Sequence, residues 1–336
     1  MTAPYVLNVW YMAAWAEEVP EGAMLARTLL DKPWVIHRLA DGSFAMLEDR
    51  CPHRFVPLSM GEKRGDVLHC RYHGLGFGPD GTCVFSPFPG DPPAHVRAAS
   101  LPVVEKYRGL WFWPGDPALA DPATIPDFAF LDRDQPMTRG VLQMAANYEL
   151  VSDNLLDLSH AEFLHVETFG VNGSLFDCGK QTVEVADDGA VWNRWDITDA
   201  TPPDWARPML PEGARIDQKL HIRWHPPASL ALTIAISQAG TGHAEALLPE
   251  MVNPHIITPE TQGTSHYFYD HEPTEEARAL AMRVFTEEDE PMIEAAQRAL
   301  GEQDFWEARP AILATDAAAI RARRALMQLR RREAAE

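Results

Sequence analysis

The sequence predicts an α+β protein of two domains: an N-terminal all-β domain over residues 1–115, then an antiparallel-sheet catalytic domain with flanking helices over 116–336. Three observations carry this. A length of 336 residues exceeds one average domain and fits two. Up to Trp113 the chain is a series of short apolar runs broken by Asp-Gly, Gly-Pro-Asp-Gly and proline-rich turns, the pattern of strands and hairpins. Beyond residue 140, one helical stretch is followed by longer strand-like runs that give way, from Glu275 on, to helical composition.

Taken in order, residues 5–19 carry Trp10, Tyr11, Met12 and Trp15 among alanines and suggest a short helix. Trp34–His37 and Phe44–Leu47 flank Asp41-Gly42, a strong hairpin signal. His37 reads as a strand residue, because no Cys or carboxylate stands near it at a ligand spacing. Pro87, Pro89, Pro92 and Pro93 mark a loop, and Leu101–Val104 and Gly109–Trp113 read as closing strands. Prolines 117, 122 and 126 suggest a linker lying on the surface of the second domain. That domain is expected to open with a strand at Val141–Tyr148 and a helix at Glu149–Leu164. A hairpin on Asp188-Gly189 and strands at Lys219–His225, Ser229–Ser237 and Pro254–Tyr269 follow. Glu275–Leu300 and Pro310–Arg331 are expected helices, the last one basic, alanine-rich and solvated.

Composition bounds the function. Apolar residues at 46% with 23% charged supply an ordinary globular core. The formal net charge of −20 disfavours nucleic acid and anionic membrane, leaving small molecules and proteins as partners. No apolar run approaches the ~18 residues of a membrane span, and no basic region opens a secretory signal. The expected location is cytoplasmic. Four cysteines are too few for a disulfide framework.

Two of those cysteines belong to the strongest motif. Cys51-Pro-His53 and Cys70-Arg-Tyr-His73-Gly74 face each other across sixteen residues. Each cluster supplies one thiolate and one imidazole, as a [2Fe–2S] centre with two Cys on one iron and two His on the other requires. Zinc also takes two Cys and two His, but its sites pair like with like at short spacing, whereas each cluster here is mixed. Neutral imidazoles in place of two thiolates raise the reduction potential above that of an all-Cys centre. The block from Cys51 through Trp111-Phe-Trp-Pro-Gly115 resembles the Rieske domain of ring-hydroxylating and demethylating oxygenases.

A second site is suggested by Asn154-Leu-Leu-Asp157-Leu-Ser-His160-Ala-Glu-Phe-Leu-His165. Positions 154, 157 and 160 share one broad helix face. His160 and His165 lie about 140° apart on an ideal helix, so both reach one metal only if the helix is distorted or ends between them. Two His and a distant carboxylate make the facial triad of non-haem Fe(II) oxygenases, with positions left open for dioxygen. The acidic segment Phe285–Glu294 is the best source of that carboxylate.

Over its whole length the chain resembles the oxygenase component of the vanillate O-demethylase and dicamba monooxygenase group. That resemblance implies His160, His165 and Asp289 as iron ligands, although Glu287, Glu288 and Glu290 crowd the same turn. It also gives the Asp157 carboxylate a catalytic role as the bridge between His73 of one subunit and His160 of the next, in a head-to-tail homotrimer. Asn154 is either a weak or distant ligand or a group behind the ligands. His255, in Pro254-His-Ile-Ile-Thr-Pro259, is a candidate for the substrate's carboxylate or phenol.

The implied activity is that of a terminal monooxygenase taking electrons from a reductase or ferredoxin. It would use O2 to hydroxylate a methyl group on a methoxy-aromatic acid, and the product would collapse to phenol and formaldehyde. Hydroxylation or N-demethylation of a different scaffold is one alternative, and a pure electron-transfer iron–sulfur protein is another. Three irons per chain rather than two would exclude the electron-transfer module.

Overall fold

The computed structural model describes residues 4–92 and 95–335, so Pro93 of the expected proline loop lies outside them. The chain forms two compact units. One runs to Asp132 and takes in Thr258–Gln262 and the residues from Arg332; the other comprises Arg133–Ile257 and Gly263–Arg331.

The first unit holds eleven short strands: β1 (Tyr11–Trp15), β2 (Met24–Leu29), β3 (Lys32–Arg38), β4 (Phe44–Glu48), β5 (Glu62–Arg64), β6 (Val67–His69), β7 (Gly76–Phe77), β8 (Cys83–Phe85), β9 (Ser100–Leu101), β10 (Val103–Lys106) and β11 (Gly109–Phe112). They make three antiparallel sheets ordered β1-β11-β10, β2-β3-β4-β9 and β5-β6-β7-β8. The Asp41-Gly42 turn joins β3 to β4 as expected, with Gly42 at φ 90°. His37 lies in β3 and is fully buried.

Residues 11–15 are a strand, correcting the expected N-terminal helix. All five side chains of β1 are buried and the strand pairs with β11; a single 3₁₀ turn at Ala16–Glu18 follows it. A strand covered on both faces lacks the polar alternation that marks it in sequence, and sheet pairing overrides the helix preference of its alanines. Residues 116–132, expected as a linker on the second domain, group with the first unit. Trp10 Nε1 donates to the Asp121 carbonyl at 2.9 Å, and Lys106 Nζ to the Pro122 carbonyl at 3.0 Å.

The second unit is built on a seven-stranded antiparallel sheet. Its strands are β12 (Thr138–Met144), β13 (Gly179–Val185), β14 (Val191–Ala200), β15 (Ile216–His225), β16 (Ser229–Gln238), β17 (Met251–Thr261) and β18 (Thr264–His271), ordered β12-β18-β17-β16-β15-β14-β13. The helices are α1 (Tyr148–Leu156), α2 (Ala161–Leu164), α3 (Ser174–Cys178), α4 (Glu275–Met282), α5 (Glu290–Leu300) and α6 (Ala317–Glu333), with a π-helical segment Arg283–Asp289 between α4 and α5. Among the described residues no helix is long and apolar enough to cross a membrane.

α1 is positioned at both ends. The Asn147 side chain accepts from the Glu149 N–H at 2.8 Å as its N-cap, while the Asn147 N–H donates to Gln297 Oε1 of α5 at 2.8 Å. α6 is not the solvated helix that its charge suggested. Arg323 is buried beneath Phe305 and pairs with Glu149 at 2.9 Å and Asp153 at 2.7 Å, both on α1. A guanidinium with two carboxylates around it tolerates burial; without them it would cost several kcal/mol.

Candidate functional site

In the first unit the two Cys/His loops repeat one main-chain pattern. The Cys51 N–H donates to the Val56 carbonyl at 2.8 Å, and the Phe55 N–H donates to the Cys51 carbonyl at 2.8 Å. Nineteen residues on, the Cys70 N–H donates to the Leu75 carbonyl at 2.8 Å, and the Gly74 N–H to the Cys70 carbonyl at 2.9 Å. The residue four beyond each cysteine is left-handed: Phe55 at φ 64° and Gly74 at φ 71°. Glycine takes that conformation without cost, and at position 74 a Cβ would also stand 3.3 Å from Pro87 Cγ.

These loops bring the four predicted residues together. Cys51 and Cys70 are buried in one apolar cluster with Val35, Leu58, Leu68 and Phe77, and the rings of His53 and His73 lie 4.5 Å apart. Burial pushes the Cys51 thiol up, with Cys70 beside it adding to the shift, so a metal centre here would displace a proton. The buried Nδ1 of His73 has no hydrogen-bond partner among the described residues. Two buried thiols, an orphaned ring nitrogen and a second imidazole fit a [2Fe–2S] centre.

In the second unit the expected single helix Glu149–Leu164 is interrupted before His160, and a second short helix ends between His160 and His165. Asp157 breaks α1, with φ −99° and ψ 82°, and a 3₁₀ turn at Leu158–His160 leads into the four-residue α2, which ends at Leu164. The last carbonyl of α1, Leu156, accepts from Asn193 Nδ2 at 2.7 Å, and Gln181 Nε2 donates to Asn193 Oδ1 at 3.1 Å. The interruption turns both imidazoles inward. His160 Nε2 and His165 Nε2 are 3.1 Å apart, and Asp289 Oδ1 lies 3.5 Å from the first and 3.3 Å from the second. Asn154 Nδ2 donates to that same Oδ1 at 3.2 Å, so Asn154 holds the carboxylate.

Burial resists protonation of His165, yet hydrogen bonds and charge from Asp289 and Glu288 prevail and raise its pKa. Such a demand for positive charge, with two Nε2 atoms and a carboxylate oxygen converging, fits a divalent cation. Asp157 differs from its expected role in one respect. Its main-chain carbonyl, not its carboxylate, meets His160 Nδ1, while Oδ1 of the carboxylate caps the next turn through Ser159 N at 3.1 Å and Ser159 Oγ at 2.6 Å. The helix break causes this by turning the Asp157 peptide toward the ring.

The backbone of the crowded acidic turn spreads its carboxylates apart. Pro291 has no N–H for the Glu287 carbonyl, and its ring would strike that carbonyl in a regular helix. The preceding stretch widens into the seven-residue π-segment. Consecutive side chains then reach opposite sides of His165: Asp289 faces Nε2 and Glu288 faces Nδ1, at 2.8 Å. Glu287 is exposed. A proline inside a helical run is the sequence signal that could have located the distortion; nothing in the sequence separates Glu288 from its neighbours.

Beside Asn154 and Asp289 lies a small void of about 10 Å³ with an apolar wall of Met144, Val151, Leu155, Tyr267, Phe285 and Ile293. His255 adjoins it, buried, with its ring stacked on Tyr267 and edge-on to Phe285. Its Nδ1 meets the Tyr267 hydroxyl, and its Nε2 has no partner among the described residues. Burial holds the His255 pKa down to about 4 and pushes the Tyr267 phenol well up. Tyr267 therefore stays protonated and donates to Nδ1, leaving the proton of a neutral imidazole on Nε2.

An all-β unit with paired Cys/His knuckles and a sheet unit with a His-His-carboxylate group define a Rieske-type oxygenase. Comparison with known proteins agrees. Residues 9–106 match the Rieske [2Fe-2S] domain, and residues 144–332 match the vanillate O-demethylase oxygenase C-terminal domain. The oxygenase component of dicamba O-demethylase from Stenotrophomonas maltophilia is 37% identical, with 98% of this chain and 99% of that one covered. The oxygenase component of chloroacetanilide N-alkylformylase from Rhizorhabdus wittichii is 34% identical, with 96% and 94% covered. A crystal structure of dicamba monooxygenase with non-heme iron and dicamba superposes with a TM-score of 0.81 at 35% identity, covering 99% of both chains. The chain belongs to the Rieske non-haem iron oxygenases, in the group with the vanillate O-demethylase type of C-terminal domain.

Proposed function

We propose that this protein is the terminal component of a multi-component monooxygenase that oxidatively demethylates a methoxy-aromatic acid. The observation that carries the reading is the convergence of His160, His165 and Asp289 beside an apolar wall. In this reading Cys51, His53, Cys70 and His73 would hold the cluster, and the three converging residues would hold Fe(II). When bound, the two centres supply electron entry and oxygen activation.

The chain's own residues do the rest. Asn154 fixes Asp289, and the apolar lining excludes water from the reacting face. His255 offers a neutral Nε2–H to the substrate's carboxylate, oriented from behind by Tyr267. With no ion pair involved, acid substrates should bind equally well from pH 6 to 8. Incubation with a panel of methoxybenzoates, a reductase and O2 should release formaldehyde. His255→Ala should raise KM for acids far more than for the matching methyl esters; equal KM effects on both would remove His255 from the substrate site.

A reductase or ferredoxin would supply the electrons, and an iron–sulfur protein with only two cysteines beyond the cluster suits the reducing cytoplasm. We further propose a head-to-tail homotrimer. Exposed apolar side chains flank both metal regions: Phe55, Met60 and Tyr72 on or beside the Cys/His loops, and Phe163, Val166 and Phe176 beside the His pair. Asp157 takes no hydrogen bond on its Oδ2 from the described residues, which leaves that oxygen for His73 of a neighbouring subunit. Asp157→Asn should give a trimer with both metals whose cluster reduces normally but turns over little substrate. Normal turnover in that variant would exclude the route.

A further inference from the structure

We propose that Glu288 is a positioning residue for the iron site, the anionic acceptor that fixes His165 and makes it the stronger of the two imidazole ligands. The inference rests on His165 being an iron ligand, as proposed above, and goes beyond it by assigning a residue that touches neither metal nor substrate.

Glu288 is held from three sides. Its Oε2 accepts from His165 Nδ1 at 2.8 Å and from Thr168 Oγ1 at 2.7 Å, and its Oε1 lies 3.2 Å from Arg283 Nε. Arg283 is itself tied to Glu167 at 2.7 Å. A side chain only 12% exposed and fixed at both oxygens cannot swing aside to let the imidazole turn. The ring is held from below as well: its own residue ends α2, and its carbonyl accepts from the Thr168 N–H at 3.0 Å and the Gly170 N–H at 2.6 Å.

The consequence follows from the chemistry of imidazole. A carboxylate at Nδ1 keeps the proton there, so the lone pair sits on Nε2, where Asp289 and His160 converge. Partial transfer of that proton toward the carboxylate raises the electron density of the ring and strengthens its bond to a metal. His160 has a weaker backing, because its Nδ1 meets the neutral main-chain carbonyl of Asp157. The site thus holds two chemically unequal imidazoles, and the inequality resides in Glu288.

The test is the affinity of the protein for Fe(II) itself, measured anaerobically by competition with a ferrous chelator on the full chain with its cluster intact. His165→Ala should bind no mononuclear iron. Glu288→Gln, which keeps an acceptor but not the charge, should weaken Fe(II) binding by about 10-fold, and Glu288→Ala by up to about 100-fold, the usual range for such outer partners. The cluster's visible spectrum should not change in either. A residue that merely braces Arg283 would lower thermal stability and leave Fe(II) affinity alone. Fe(II) affinity within twofold of wild type in Glu288→Gln, with His165→Ala iron-free, overturns the assignment. Should Glu288→Ala fail to fold, the glutamine variant decides alone. If His165→Ala retains its iron, the ligand reading itself falls.

Discussion

Around Cys51 and Cys70 the main chain does the holding, whereas around His160 and His165 the work falls to side chains drawn from distant parts of the chain. The two Cys/His loops are each closed within six residues by two main-chain hydrogen bonds, and the same bonds recur in both. At the proposed iron site the imidazoles follow an interrupted helix whose last carbonyl is held from β14 by Asn193, and the partners of His165 come from the π-segment through Glu288 and Asp289. A centre ligated by local turns is robust to change elsewhere. One assembled from remote elements depends on each of them, and that difference sets the predictions.

The largest effects separate the two regions outright. Replacing Cys51, His53, Cys70 or His73 singly with Ala should abolish the cluster's visible absorption. Replacing His160, His165 or Asp289 should leave that absorption intact and remove about one iron of three, read by iron analysis. Loss of the cluster spectrum in an iron-site variant would break the comparison by coupling what we describe as independent.

Next comes acid. His37 is fully buried in the first unit, with neither ring nitrogen partnered among the described residues, and burial lowers its pKa to about 4. The unfolded chain takes a proton near pH 6.5 that the native state refuses until about pH 4. The stability this neutral imidazole permits is therefore present above about pH 6.5 and lost as pH falls toward 4, by about 3 kcal/mol at most. His255 acts in the same direction in the second unit, with a pKa also near 4. Urea unfolding followed by cluster absorption should lose stability between pH 6.5 and 4.5 in the wild type and lose much less in His37→Phe.

Smaller effects test the two ways of holding a ligand. Asn193→Ala leaves the Leu156 carbonyl and the Gln181 amide without their shared partner, and should cost about 1–3 kcal/mol. It should also loosen mononuclear iron more than it disturbs the cluster. Gly74→Ala forces a left-handed alanine against Pro87 and should cost about 1–2 kcal/mol, read as a lower melting temperature of the cluster absorption. Phe55→Gly, at the equivalent place in the other loop, relieves the same strain but gives up the stacking of Arg50 on Phe55, so its net change should be smaller.

The sequence by itself determined what depends on near neighbours. The mixed Cys/His clusters, the hairpins on Asp41-Gly42 and Asp188-Gly189, and the need for a break between His160 and His165 all follow from spacing within a few residues, because turn geometry and helical period act at that range. Tertiary structure alone decided what depends on contacts across long separations. β1 is a strand because β11 pairs with it, and Arg323 on one face of α6 is buried because Glu149 and Asp153 neutralise it. Which carboxylate of the acidic turn faces Nε2 of His165 follows from a π-segment whose Asp289 lies 124 residues further along the chain. Local sequence sets which side chains can bind a metal; only the packed chain chooses which atoms meet.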